Sequence, residues 1–320
     1  MADSLTMVMA GVAGVSVAGI AAGAASAVAR REPNFVRRAH LARDDWALDP
    51  LARPMRTGVA SFELGVWLDD EDRVQVGSNR WDRDAGNAIG PRVLARLADR
   101  AALHGGRMFP RQRGSITLML EIAETDPTRQ LRTYEVLDTA LREHASILTR
   151  FQDGAVIPGP VTVILTGEGA PRQVLAAQTD RLAFIDGTFS DVGAWGAPAN
   201  LVPMLSEDWN WRFGWDGHET FPAAERQLLR EIVATAHSDG RRVRFYGLPQ
   251  RWGRPRARIW RELISSGVDL ITLSKDVRPL ARYLRKHSSV RDTVTIAPQV
   301  RNDRAYESSG HSAGAVGARR

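Results

Sequence analysis

The sequence predicts an α/β protein: a single (β/α)8 TIM barrel with an N-terminal apolar segment in front of it. Three observations carry that expectation. Eight short apolar runs have strand character: Phe35–Ala39, Val59–Val66, Ile116–Ile122, Val161–Leu165, Leu182–Ile185, Leu201–Leu205, Arg242–Tyr246 and Leu270–Leu273. Helical patterns fall between them at Pro91–Leu103, Arg129–Leu148, Pro222–His237 and Pro255–Ser266, and three of these four open on proline, which suits the first helical position. Strands that alternate with helices pair in parallel through βαβ units. Eight such units in about 250 residues suit a closed barrel, with a doubly wound open sheet as the alternative.

Residues 1–31 form a leader whose stretch from Met7 to Ala29 is uncharged and rich in Ala, Gly and Val. It is long enough to span a bilayer. Read as an anchor, it is followed by Arg30, Arg31, Arg37 and Arg38, which favour the cytoplasmic side for the next domain. Read as a signal peptide, it ends near Ala27–Ala29 but lacks a basic n-region. Read as a disordered leader, it does neither. The expected location is therefore membrane-associated through residues 7–29, with secretion after cleavage as the alternative.

The barrel is expected over residues 34–287, and the small, polar tail 301–320 is expected to be disordered. Within the barrel, VASFELGV at Val59–Val66 alternates Phe62, Leu64 and Val66 with Ser61, Glu63 and Gly65. Period-two alternation gives a strand with two unlike faces, so Glu63 sits mid-strand opposite three large apolar residues. A DDED turn follows, and RVQVGS runs back as a hairpin partner. The run Arg129–Leu148 places Leu131, Val136, Leu137, Leu141 and Ile147 close to one helical stripe.

An apolar fraction of 43% is ample for a core of this size. The net charge is +6, and with only Lys275 and Lys286 among 43 basic residues, 41 are arginine. Such a balance suits anionic partners such as phosphates or lipid headgroups, or simply a solvated surface of mixed sign. No dense basic run is interleaved with aromatics, so no nucleic-acid partner is expected. There is no cysteine, which excludes disulfides, thiolate metal sites and a cysteine nucleophile. The chain has no P-loop, zinc-ligand spacing or nucleophile elbow.

RAHLARDD, a helix, FELGVWL, a turn and then VQVGSN resemble the frame HAHNDY, VEADVWL and LLVGHD of the phospholipase C-like phosphodiesterase superfamily, which includes the glycerophosphodiester phosphodiesterases. The nearer match is the branch named for altered inheritance of mitochondria proteins. Further strings follow in order: LMLEIAET, GPVTVILTGEG, RLAFIDGTFSDVG, LVPMLSEDWNWRFGWDG, GRRVRFYGLPQ and GVDLITLSKD. The resemblance covers residues 34–287 and implies a barrel with its site at the C-terminal strand ends.

That resemblance also implies phosphoric diester chemistry in lipid or glycerophosphodiester metabolism. A divalent cation, Mg²⁺ or Ca²⁺, would be held by carboxylates, here Glu63 and Glu121. His40 keeps the second histidine of HAHN and would move protons; Arg38 stands at the first and would hold phosphate. Arg244, Tyr246, Asp186 and Trp209 are the expected substrate-binding set. Trp209, Trp211 and Trp215 form either a headgroup wall or a loop packed on the barrel rim.

The departures are as telling as the matches. Gly65 stands where the family has the aspartate of its Glu-x-Asp pair, Ser78 where it has a second catalytic histidine, and Ala123 where it has a lysine. Glu124, a strand-end carboxylate, would substitute only by moving in; otherwise it is a solvent-facing residue entering a turn. Three functions follow: a weakened phosphoric diester hydrolase or lyase, a non-catalytic barrel binding an anionic ligand or partner, or an enzyme repurposed within the same pocket.

Overall fold

A computed structural model describes residues 32–44, 48–77, 86–110, 112–193, 196–274 and 276–287. The apolar run 7–29, the tail 301–320, Asp45 and Ser78 lie outside the described residues. Eight parallel strands close into a barrel: β1 (Val36–Leu41), β2 (Val59–Leu68), β4 (Ile116–Ile122), β7 (Val161–Thr166), β9 (Ala183–Gly187), β10 (Met204–Asp208), β11 (Arg242–Tyr246) and β12 (Leu270–Leu273). Closure is made by β1, which pairs with β2 on one side and with β12 on the other. The open-sheet alternative is thereby excluded. β3 (Val74–Val76) runs antiparallel to the far end of β2, as the expected hairpin partner.

The helices between the strands are α1 (Ala52–Thr57), α2 (Ala95–Leu103), α3 (Pro127–Glu143), α4 (Arg172–Ala177), α5 (Trp209–Arg212), α6 (Ala223–Ser238), α7 (Gly253–Ser265) and α8 (Arg278–Lys286). α3 starts where Asp126 accepts the backbone N–H of Arg129, and Pro127 supplies the first helical residue. Its buried stripe is Thr133, Tyr134, Leu137 and Leu141. The outward faces of the strands and these helix stripes make the main core, which contains Phe62, Leu64 and Val66. A second, smaller cluster joins Ala60, Met119, Ile164, Phe184, Met204 and Leu270. It fills the barrel interior towards its N-terminal end.

Two features depart from expectation. The tenth strand begins at Met204 rather than Leu201, because Leu201 and Val202 turn back onto the Pro198 carbonyl and Pro203 cannot donate within a ladder. The strand therefore carries Ser206 and Asp208 towards the mouth. α3 ends at Glu143, and the chain then forms a small antiparallel sheet, β5 (Arg150–Gln152), β6 (Ala155–Ile157) and β8 (Asp180–Arg181). Its hairpin turns on Asp153–Gly154, both at positive φ, as a two-residue Asp-Gly turn requires. Phe151 and Val156 pack on the interior cluster and seal the barrel's N-terminal end.

Candidate active site

Strand register decides which side chains meet inside the barrel. His40 pairs with Ser61 and Thr272, Ser206 pairs with Arg244, and Glu121 pairs with Gly65 and Thr166. All of these face inward, above the apolar floor. The result is a continuous polar layer. His40 Nδ1 lies 2.8 Å from Ser61 Oγ, and its Nε2 lies 3.0 Å from Arg244 and 3.4 Å from Glu63 Oε2. Arg244 donates to Ser206 at 2.8 Å, to Glu63 at 3.1 Å and to Asp186 at 3.2 Å. Asp186 also accepts from Thr166 at 3.0 Å and Ser206 at 2.6 Å.

Protonation follows from this packing. A guanidinium only donates, so His40 Nε2 accepts from Arg244 and its Nδ1–H is turned to Ser61. Burial and the Arg244 charge lower His40 to about 4, against the opposing pull of Glu63, so the ring is neutral. Burial pushes the Glu63 carboxyl up, but the Arg244 charge and its hydrogen bond overcome it and hold Glu63 well below the usual carboxylate range. Asp186 is shifted the other way: burial raises it despite Arg244, Ser206 and Thr166. Tyr246 is raised by burial, and its ring lies 5.5 Å from the Arg244 guanidinium carbon.

Nearer the mouth stands a pair that sequence reasoning missed. Arg43 Nη1 lies 2.5 Å from Glu121 Oε2, with the two side chains 29% and 35% exposed. Gly65 makes room for it. A Cβ at Gly65 would sit 2.4 Å from the Gly77 carbonyl oxygen and 3.3 Å from Arg43 Cδ. The Gly77 N–H in turn donates to the Gly65 carbonyl at 3.0 Å. A side chain at position 65 would therefore meet hairpin backbone and an arginine stem.

The remaining expected site residues are spread out. Arg38 donates to the Val268 carbonyl, ahead of β12, at the barrel's N-terminal end rather than its mouth. Trp209 is fully buried, donates to the Trp215 carbonyl and packs 4.3 Å from Phe213, so it forms core and not a ligand wall. Trp215 stacks on Phe221, while Trp211 is exposed. Glu124 is buried, not solvent-facing: it accepts from Leu68 N and pairs with Arg129, which ties β2 to α3.

The chain is similar to proteins named altered inheritance of mitochondria protein 6. It is 26% identical to the one from Eremothecium gossypii over 276 residues, 78% of this chain and 70% of that protein. It is 30% identical to a homolog of that protein from Arthroderma benhamiae over 143 residues, 43% of this chain and 44% of the relative. No family model matches the chain.

The two carboxylates expected to hold a divalent cation are both engaged in this arrangement. Glu63 is already neutralised by Arg244, and Glu121 by Arg43. Among the described residues, no three His, Asp or Glu side chains group as metal ligands do. A cation entering here would have to displace a guanidinium from each carboxylate. What the arrangement presents at the mouth is the partly exposed Arg43–Glu121 pair, above the polar layer.

Proposed function

We propose that the barrel is a phosphoric diester hydrolase-like protein whose mouth binds a phosphate-bearing ligand, a phospholipid headgroup or a glycerophosphodiester, and turns it over slowly or not at all. The observation that carries this reading is the state of His40. The ring is 0% exposed, and both of its nitrogens are engaged, by Ser61 and by Arg244. A general acid or base must reach the reacting group directly or through one water. With both ring nitrogens already engaged, His40 has no free atom for that task in this arrangement, which supports slow or absent turnover. The frame shared with phospholipase C-like phosphodiesterases supports the ligand class; the interlocked carboxylates and arginines support the loss of rate.

The test uses the full chain, stripped with a chelator, against a panel of phosphodiesters with and without added Mg²⁺ or Ca²⁺. Calorimetric binding of at least one diester or its phosphate product is expected, weakened by Arg43→Ala. Turnover is expected to be about 10²- to 10⁴-fold below that of a complete acid–base site. Metal-dependent turnover at ordinary enzyme rates, roughly 1–10³ s⁻¹, would overturn the reading, as would failure of every diester and phosphate to bind.

A further inference from the structure

A groove of about 620 Å³ lies on the barrel's outer wall between α1 and α8, over the start of β1. α1 has only six residues and α8 nine, so the two helices leave this part of the wall uncovered. Five arginines line it, Arg53, Arg56, Arg278, Arg282 and Arg285, against a single acid, Asp276. Arg278, Arg282 and Arg285 are spaced i, i+4, i+7 and so share one face of α8; Arg53 and Arg56 are spaced i, i+3 on α1. Two arginine faces therefore confront each other across a concave space.

Ion pairs do not reach every one of these arginines. Arg53 pairs with Asp44 at 2.9 Å and Arg278 with Asp276 at 2.9 Å. Among the described residues, Arg56 and Arg282 make no ion pair or side-chain hydrogen bond, and both are exposed. Like charges on one helix face and across a groove oppose each other, which destabilises the fold unless an anion enters between them. Guanidinium forks match phosphate oxygens in pairs of hydrogen bonds. The volume lies within the range of ordinary ligand sites.

The chain's own course narrows the source of that phosphate. Pro33 and Asn34 line the groove, directly after Glu32. On the N-terminal side of Glu32 the sequence carries Arg30 and Arg31 and then the uncharged run 7–29. A basic patch and an apolar stretch in one chain are the two signals that together hold a protein on an acidic bilayer. We infer that the α1–α8 groove takes the phosphate headgroups of anionic membrane lipids. This inference does not depend on what the barrel mouth binds.

The experiment is co-sedimentation of the full chain with phosphatidylcholine vesicles and with vesicles holding about 30 mol% phosphatidylserine. The acidic vesicles should bind roughly 10-fold more tightly, and about 0.5 M NaCl should remove the difference. Arg56→Glu with Arg282→Glu should reduce acidic-vesicle binding to the phosphatidylcholine level. Arg56→Gln with Arg282→Gln should give an intermediate loss, and circular dichroism would show both variants folded. Binding that is equal on the two vesicle types, or unchanged in the variants, overturns the inference. Inorganic phosphate separates the remaining source. If it raises the melting temperature of the parent but not of the variants, while the vesicles are not discriminated, the groove is a soluble-anion site and the lipid assignment fails.

Discussion

Two sets of arginines divide the molecule. Inside the barrel, Arg244 is 5% exposed and meets Glu63, Asp186, Ser206 and His40. On the outer wall five arginines line one groove, and among the described residues two of them, Arg56 and Arg282, pair with no acid. The same side chain is a structural cross-tie in one place and, at Arg56 and Arg282, an exposed charge in the other. Burial makes the difference: a guanidinium taken out of water must arrive with its partners, whereas one at the surface can wait for a ligand.

The comparison breaks most visibly at Arg244. Arg244→Met leaves Glu63 and Asp186 buried together without their cation, and removal of one partner from such a pair costs about 3–5 kcal/mol. Urea unfolding should show a loss of that size. A loss below about 1 kcal/mol would mean that the inner layer is not a cross-tie.

Acid should expose the same layer. In the unfolded chain His40 takes a proton near 6.5, but in the fold only near 4. The unfolded state therefore binds more protons in that window, and stability falls as pH drops from about 6.5 towards about 4. Glu63, which titrates near 4.5 when unfolded and near 2 when folded, extends the loss from about 4.5 down to about 2. The His40 part amounts to roughly 3 kcal/mol. His40→Gln should flatten the upper window, as read from unfolding midpoints against pH.

A smaller effect belongs to the backbone above the layer. Gly65→Ala drives a methyl against the Gly77 carbonyl, and overpacking of this kind costs about 1–3 kcal/mol. Gly65→Asp, which adds a carboxylate at this position, should lose stability too and should not create a metal site. Stoichiometric metal uptake by that variant, seen by calorimetry, would show that the hairpin yields.

The outer set should give the smallest change. Arg282→Gln should alter stability by no more than about 0.5 kcal/mol. Its sign should be stabilising at low ionic strength, where repulsion across the groove is felt, and it should vanish near 0.5 M salt.

Much of the frame was legible because burial leaves a local trace. Apolar runs located all eight barrel strands, and the alternation in Val59–Val66 correctly turned Glu63 away from Phe62, Leu64 and Val66. A proline displaced one strand by three residues, and a helical stripe ran past Glu143 over the 3-10 turn Ala145–Ile147 that leads to the short sheet. The site was less legible. Arg43 sits in an ordinary-looking ARDD string, and its meeting with Glu121 depends on Gly65 and on the hairpin pressed against it. Trp209 carries no sign in its neighbours that α5 turns it inward onto Phe213, Phe221 and Phe245. Such outcomes rest on contacts between distant residues, which no local pattern records.

The placement of β1 between β2 and β12 sets the order in which the chain can be assembled. Ala39 finds its second neighbour only when Ile271 exists. Throughout synthesis the growing sheet keeps one edge of β1 unpaired, along with the edge of whichever strand came last. Open edges invite pairing with other chains, and ring closure across this sequence distance is slow. A nascent chain halted before Leu270 would carry nearly all of the core and still be unable to close. Dependence on chaperones should therefore be concentrated in the interval before β12 leaves the ribosome.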